Sequence, residues 1–534
     1  MIIQSKINTN SSAYKENYAQ MLEKIDILKK HLQKSLFQGE EKHIEKARTK
    51  GKMLARERVE LLLDQDSPFL ELCPLAGLET KGGFGPGGTM VAGIGFVSGK
   101  MCMINANVGT NKGGAIDIAT LKRALRIGEI ANENNLPCIN LVESAGANLP
   151  DQAQVFNLGG NNFKEITRRS KNGIPTISIV FGNSTAGGAY IPGMSDYTIF
   201  VKNQAKVFLA GPPLVKMATN EIVDDETLGG AEMHSKVSGV SDYLAEDELD
   251  GIRIARELMA NLNNLQSNSE FQPSTKYKEP LYNIDELLGI ISTDVKIPFD
   301  CREVIARIVD GSEFHEFKKD YGSTLICGFA KIHGYPIALI SNNGVLFNDS
   351  ANKGAHFIQL CNMNKTPILF LQNITGFMVG KDYERNGIIK DGAKMINAVS
   401  NSEVPMFTIM MAASYGAGNY AMCGRAYNPR FIFSYPNSMI AVMGAEQLAG
   451  VMQMVAKEGA LKSGKPWDEN QAEQMKAFMK LEIEKQSNAF FATGQLWDDG
   501  IIDPRDTRHI MGLILALTYL QNVKGTNAWG VYRM

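Results

Sequence analysis

Two short stretches of small residues carry the chemistry this chain can do: Ser184-Thr185-Ala186-Gly187-Gly188-Ala189-Tyr190 and Ser414-Tyr415-Gly416-Ala417-Gly418-Asn419-Tyr420. Each follows an apolar run, Thr176–Phe181 and Met406–Met411, that reads as a buried strand. Small residues let a backbone turn sharply and approach a ligand closely. Amides that open the next helix lack an acceptor inside it. Gly187 with Gly188, and Ala417 with Gly418, therefore read as two pairs of N–H donors for oxygens that gain negative charge, as in an enolate or a tetrahedral intermediate. Two such holes suit a reaction of two carbonyl compounds that both become anionic.

Other candidates fail on their own chemistry. Gly459-Ala460-Leu461-Lys462-Ser463-Gly464-Lys465 imitates a phosphate-binding loop, but Pro466 stands where a Ser or Thr would hold magnesium and no strand precedes it. Gly416–Ala421 imitates a dinucleotide fingerprint, yet Tyr435–Met443 lacks the acid expected about twenty residues on. The seven histidines show no metal-ligand spacing, and no Gly-x-Ser-x-Gly elbow marks a nucleophilic serine. Ser184 and Ser414 read as loop-formers. The seven cysteines form no Cys-x-x-Cys pair, and most sit in apolar segments, as small core residues do. The basic run Lys52–Arg58 reads as a solvated helix face or as a phosphate contact.

The elements that must hold the two stretches come in duplicate. Pro137 and Pro367, Gly146 and Gly376, Pro175 and Pro405, Ser184 and Ser414, Gly188 and Gly418, and Tyr190 and Tyr420 all stand 230 residues apart. A strand–turn–strand signal around Ser98-Gly99 recurs around His333-Gly334. Strands alternating with helices predict an α/β fold with right-handed crossovers in each half. The expected halves are residues 1–265 and 283–534, with a polar, proline-marked linker over 266–282. Residues 13–35 predict an amphipathic packing helix, and helices are expected over 453–461, 469–490 and 509–522. With 55 basic against 57 acidic residues, no global field draws the chain to nucleic acid or membrane. No apolar run is long enough to span a bilayer. The first residues resemble no signal or transit segment, and a cytoplasmic location is expected.

The segments STAGGAYIPGMSD (184–196), FLAGPPLVKMAT (208–219), NNGVLFNDSANKGAHFIQLC (342–361), FLQNITGFMVG (370–380) and SYGAGNYAMCGRAYNPRF (414–431) resemble the carboxyltransferase β subunit of biotin-dependent acyl-CoA carboxylases. The likeness runs from about Arg48 to the end. It implies two duplicated crotonase-like (ClpP/crotonase) domains, the first on the acyl-CoA side and the second on the biotin side. It further implies a homo-hexamer, a trimer of dimers, with each active site shared between the first domain of one protomer and the second of its neighbour.

By the same resemblance the amides of Gly187 and Gly188 stabilise the acyl-CoA enolate, and those of Ala417 and Gly418 hold the biotin ureido oxygen. Thr185, Ala186, Gly211, Lys112 and Gly113 are implied to bind acyl-CoA, and Tyr415, Gly416 and Gly444 to bind biotin. The implied mechanism uses no side-chain base and no metal in this chain: carboxybiotin gives up CO2, the biotin anion takes a proton from the acyl group, and the enolate attacks CO2. The carboxybiotin arrives on a partner, the biotin carboxylase and biotin carboxyl carrier α subunit, since no Met-Lys-Met biotinylation site or ATP-grasp signature occurs here. Gly416–Tyr420 resembles the methylcrotonoyl- and geranyl-CoA types. Propionyl-CoA or a longer acyl-CoA as substrate, and biotin-dependent decarboxylation of an acyl-CoA, remain alternatives.

Overall fold

Hairpin chemistry starts each half in the same way. Ser98 and Gly99 take φ of 51° and 75°, and His333 and Gly334 take 49° and 81°. Two left-handed residues in a row make the tight turn that matches strand twist. Each turn is clamped by an aspartate: Asp64 accepts from the Ser98 and Gly99 N–H groups at 2.8 and 2.7 Å, and Asp310 from those of His333 and Gly334 at 2.9 and 2.7 Å. Arg256 and Arg508 pair with these two carboxylates, both at 2.8 Å.

The computed structural model describes residues 1–262 and 276–534. It contains two compact units. The N-terminal unit comprises Lys30–Ser267 with Gly494–Leu496; the C-terminal unit comprises Met1–Lys29, Asn268–Thr493 and Trp497–Met534. Residues 1–29, counted above with the first half, thus belong to the second. Their packing explains this: Ser5 Oγ donates to Glu303 at 2.6 Å, and Asn17 Nδ2 donates to the Gly289 carbonyl at 3.2 Å. The helix Ser12–Ser35 buries Met21, Ile25 and Leu28, the apolar stripe expected of it. Of the expected linker, residues 266–275 lie outside the described residues.

In the N-terminal unit the strands are β1 (Leu70–Glu71), β2 (Met90–Val97), β3 (Lys100–Asn107), β4 (Cys138–Ser144), β5 (Thr176–Thr185), β6 (Tyr197–Val201), β7 (Lys206–Phe208) and β8 (Tyr243–Ala245). They run β1-β2-β3-β4-β5-β6-β8, antiparallel through β3 and parallel from β3 onward. In the C-terminal unit they are β9 (His315–Phe317), β10 (Leu325–Ile332), β11 (Tyr335–Asn342), β12 (Ile368–Ile374), β13 (Met406–Tyr415), β14 (Phe431–Ser434) and β15 (Met439–Ala441). Their order, β9-β10-β11-β12-β13-β14, repeats the first sheet. The central strands are buried on both faces and nearly all apolar, as parallel strands covered by helices must be.

One feature of both sheets matters most. The first part of β5 pairs with β6 through Ile177–Val180, and its last part pairs with β7 through Asn183–Thr185. Likewise β13 pairs with β14 through Phe407–Met410 and with β15 through Ala413–Tyr415. Each strand is therefore gripped to its final residue.

Candidate active site

Beyond those final residues the backbone leaves the ladder at once. Ala186–Ala189 forms a 3-10 turn after β5, and Gly416–Ala421 forms a short helix after β13. Ala186 and Gly416, at equivalent positions, both adopt left-handed φ, 53° and 55°. That conformation swings the following amides out of line with the strand. Exposure follows the same pattern in both copies: Gly187 and Ala417 face solvent, Gly188 and Gly418 are buried, and Tyr190 and Tyr420 are each 47% exposed. Ala417 and Gly418 lie in the first turn of their helix, where N–H groups have no acceptor within it. Neither pair of expected donors sits in a strand ladder.

The serines before the turns act as fasteners. Ser184, fully buried, donates through Oγ to the Gly188 carbonyl at 2.9 Å. Ser414, also fully buried, donates to Gln372 Oε1 at 2.5 Å and accepts from Asn419 Nδ2 at 2.7 Å. Gln372 Nε2 in turn donates to the Met422 carbonyl at 2.7 Å. Serines spent in this way are loop-formers, as their setting in the sequence suggested.

The other expected residues gather around these turns. Thr185 is the last residue of β5, paired with Phe208 of β7; Gly211, three residues further on, caps the helix Pro212–Thr219. In the second copy Tyr415 pairs with Ala441 of β15, and Gly444 caps the helix Ala445–Lys462. Lys112, Gly113 and Gly114 are three successive left-handed residues, with φ of 50°, 66° and 68°. Their loop lies against the end of β4: the Ala145 N–H donates to the Gly113 carbonyl at 2.9 Å, and Ser144 Oγ to the Gly114 carbonyl at 2.7 Å. On the opposite side, a Cβ on Gly146 would stand 3.1 Å from the Thr185 carbonyl. The loop 143–146 thus joins the two sets of residues expected to bind acyl-CoA.

Lys112 and Gly113 also line a cleft of ≈ 1140 Å³ within the N-terminal unit. Lys46 and Lys50, exposed on and just beyond the helix Glu41–Thr49, line it too, with Lys52 and Lys206. Lys46 and Lys50 escaped sequence reasoning because a charged amphipathic helix looks like any solvated surface. Within the run Lys52–Arg58, the arginine at its end is not on a solvated face. Arg58 is 1% exposed, bound to Glu248 at 2.8 Å and Glu143 at 2.7 Å and stacked over Phe181 at 4.4 Å. Lys52 adds a bond to Glu143 at 2.6 Å. Burial alone would raise the Glu143 carboxyl; the charges of Arg58 and Lys52 and their hydrogen bonds outweigh it and hold it below its ordinary value. The imitation phosphate loop is likewise structural: Gly459–Lys462 is the last turn of the helix Ala445–Lys462.

Comparison with known proteins agrees with this geometry. A family model described as carboxyl transferase domain matches residues 46–529. A probable biotin-dependent acyl-coenzyme A carboxylase β2 subunit of Mycobacterium tuberculosis is 52% identical over 534 residues, covering 100% of both chains. A probable mitochondrial methylcrotonoyl-CoA carboxylase β chain of Drosophila melanogaster is 49% identical, covering 100% of this chain and 95% of the relative. The crystal structure of the P. aeruginosa geranyl-CoA carboxylase β subunit superposes with a TM-score of 0.91 at 44% identity, covering 100% of each chain. The two forked sheets, the twin turns and these full-length matches lead to one conclusion: the chain belongs to the carboxyl transferase domain family, as a β subunit of the biotin-dependent acyl-CoA carboxylases.

Proposed function

We propose that this chain, the carboxyltransferase component of a biotin-dependent acyl-CoA carboxylase, carboxylates a branched enoyl-CoA of the methylcrotonoyl type. The observation that carries the reading is the pair of small-residue turns, free of the strand ladders, at the ends of equivalent strands. The amides of Gly187 and Gly188 stabilise the thioester oxygen as it becomes an enolate oxygen. A donor of this kind contributes about 3 kcal/mol to the transition state. Thr185, Ala186 and Gly211 shape the approach to that turn. Lys112, Gly113 and the exposed Lys46 and Lys50 suit the phosphates of coenzyme A.

The second turn fits the ureido group of biotin. Gly416 and Gly418 carry no side chain into the approach, and a Cβ on Gly416 would come 3.0 Å from the Val442 carbonyl. The Ala417 and Gly418 amides would polarise the ureido oxygen, with Tyr415 and Gly444 flanking it. Biotin, when bound, supplies the activated carboxyl group. The biotin-bearing α subunit is the partner. We carry over a homo-hexamer from the family. Large exposed apolar side chains support an assembly: Phe156 (82%) and Ile222 (85%) in one unit, Val455 (66%) and Phe478 (60%) in the other. Residues 30–265 serve the acyl-CoA side, and 283–534, in the unit that also holds residues 1–29, the biotin side. No helix of the described residues is long and apolar enough to cross a membrane, and a cytoplasmic site of action accords with that.

The test is a panel of acyl-CoA thioesters offered to this chain with its cognate biotin-bearing subunit, ATP and hydrogencarbonate. Methylcrotonoyl-CoA is expected to give the highest kcat/KM. Preference for geranyl-CoA or propionyl-CoA would overturn the acyl assignment. ATP-dependent carboxylation by this chain alone would overturn the division of labour.

A further inference from the structure

Away from the turns, the N-terminal unit holds a buried arginine with two side-chain donors that lack a partner. Arg169, on the helix Gln152–Lys171, is 5% exposed. Its Nε and Nη1 have no hydrogen-bond partner. Groups near it are engaged elsewhere: Glu165 pairs with Arg168 at 3.3 Å, while Asp196 accepts from Ser170 Oγ at 2.5 Å and from the Thr176 N–H at 2.7 Å. A guanidinium cannot shed its charge, and a buried charge without a partner is among the costliest features a fold can hold.

The guanidinium lines a cavity of ≈ 60 Å³ between β3, β4 and two helices. That is room for a few atoms, several times what one water requires. Gly128 keeps the space open from within the helix Ile118–Glu133, since a Cβ there would stand 3.4 Å from Arg169 Nη1. A glycine inside a helix costs about 1 kcal/mol relative to alanine. The same cavity is lined by Asn105, whose Oδ1 is also buried without a partner, and by Asn140. Asn140 Oδ1 accepts from Asn105 Nδ2 at 3.1 Å, which turns Asn105 Oδ1 away to await a donor.

We propose that this cavity binds a small monovalent oxyanion of the hydrogencarbonate class. Arg169 Nη1, which faces the gap beside Gly128, donates to one oxygen of the anion in a charge-assisted hydrogen bond. The anion's hydroxyl donates to Asn105 Oδ1, a contact that a halide cannot make and that would repel it. The site is independent of the turns and of the acyl group proposed above.

Thermal unfolding of the full-length protein tests this in sodium hydrogencarbonate, sodium chloride and sodium gluconate at one pH and ionic strength. Hydrogencarbonate is expected to raise Tm above gluconate by about 2–4 °C, with chloride giving less. Arg169→Gln is expected to remove the difference, and Gly128→Ala to shrink it. A crystal soaked in sodium hydrogencarbonate is expected to show planar density against Arg169, which keeps the test alive should Arg169→Gln fail to fold. Equal Tm in all three salts, an unchanged response in Arg169→Gln, chloride matching hydrogencarbonate, or water alone in the soaked crystal would each overturn the assignment.

Discussion

The turn after β5 and the helix start after β13 end equivalent strands at equivalent residues, yet they are fastened by different means. The first is tied by one bond, Ser184 Oγ to the Gly188 carbonyl, and is otherwise flanked by apolar groups such as Phe163. The second is tied by a buried chain running from Asn419 through Ser414 and Gln372 to the Met422 carbonyl. Space differs as well. A Cβ on Gly188 would find only Ser184 Oγ at 3.6 Å, an ordinary contact, whereas one on Gly418 would lie 2.5 Å from Ile374 Cγ1. The same backbone device is therefore loosely packed in one unit and tightly packed in the other. Packing leaves the glycine of the first turn unexplained and accounts for that of the second.

Substitutions can break this contrast. Gly188→Val is expected to lower kcat at least about 100-fold while Tm stays near the wild-type value; wild-type turnover would remove this turn from the site. Gly418→Ala, a smaller change, is expected to cost about 1–3 kcal/mol of stability through overpacking, measured by urea unfolding. An unshifted midpoint would show that Ile374 yields freely. Ser414→Ala leaves Gln372 and Asn419 without their shared partner and is expected to cost about 1–3 kcal/mol, against about 1 kcal/mol for Ser184→Ala. Equal costs would make the two fasteners equivalent after all.

A gentler probe is pH. Asp498, 1% exposed, is raised to about 6 by burial, although Ser434 Oγ and the Gly500 N–H donate to it at 2.6 and 3.1 Å. The folded chain thus holds this proton more tightly than the unfolded chain, whose aspartate titrates near about 3.9. The contribution is complete below that value and is lost as pH climbs toward 6. Asp498→Asn is expected to flatten the fall in Tm across that window, and an unchanged slope would assign it to other groups.

Much of this was legible in the chain itself. The 230-residue spacing is carried without change by β4 and β12, by β5 and β13, and by the helices Ile118–Glu133 and Asn348–Met363. Even the isolated bridges Ile116–Ala147 and Leu346–Phe377 keep it. Outside that span the register drifts: β2 and β10 stand 235 residues apart, because the loop into the following helix differs in length. Contacts between distant residues were not legible. Arg58 meets Glu143 and Glu248 across separations of 85 and 190 residues, and no local pattern marks an arginine that will be buried. The cleft lysines stayed hidden for the opposite reason, since exposed charge is what any surface helix shows.

The forked pairing of β5 also sets what engineering the site will accept. Thr185 is the last residue held by a neighbouring strand and Ala186 already begins the bend, so no slack separates the sheet from the turn. One residue inserted between Phe181 and Thr185 would invert the alternation of side chains and carry the donor amides to the opposite face. If the proposed site holds, grafting new substrate preferences onto this framework calls for leaving that seam intact and drawing variation from the segments around 112–114 and 209–224.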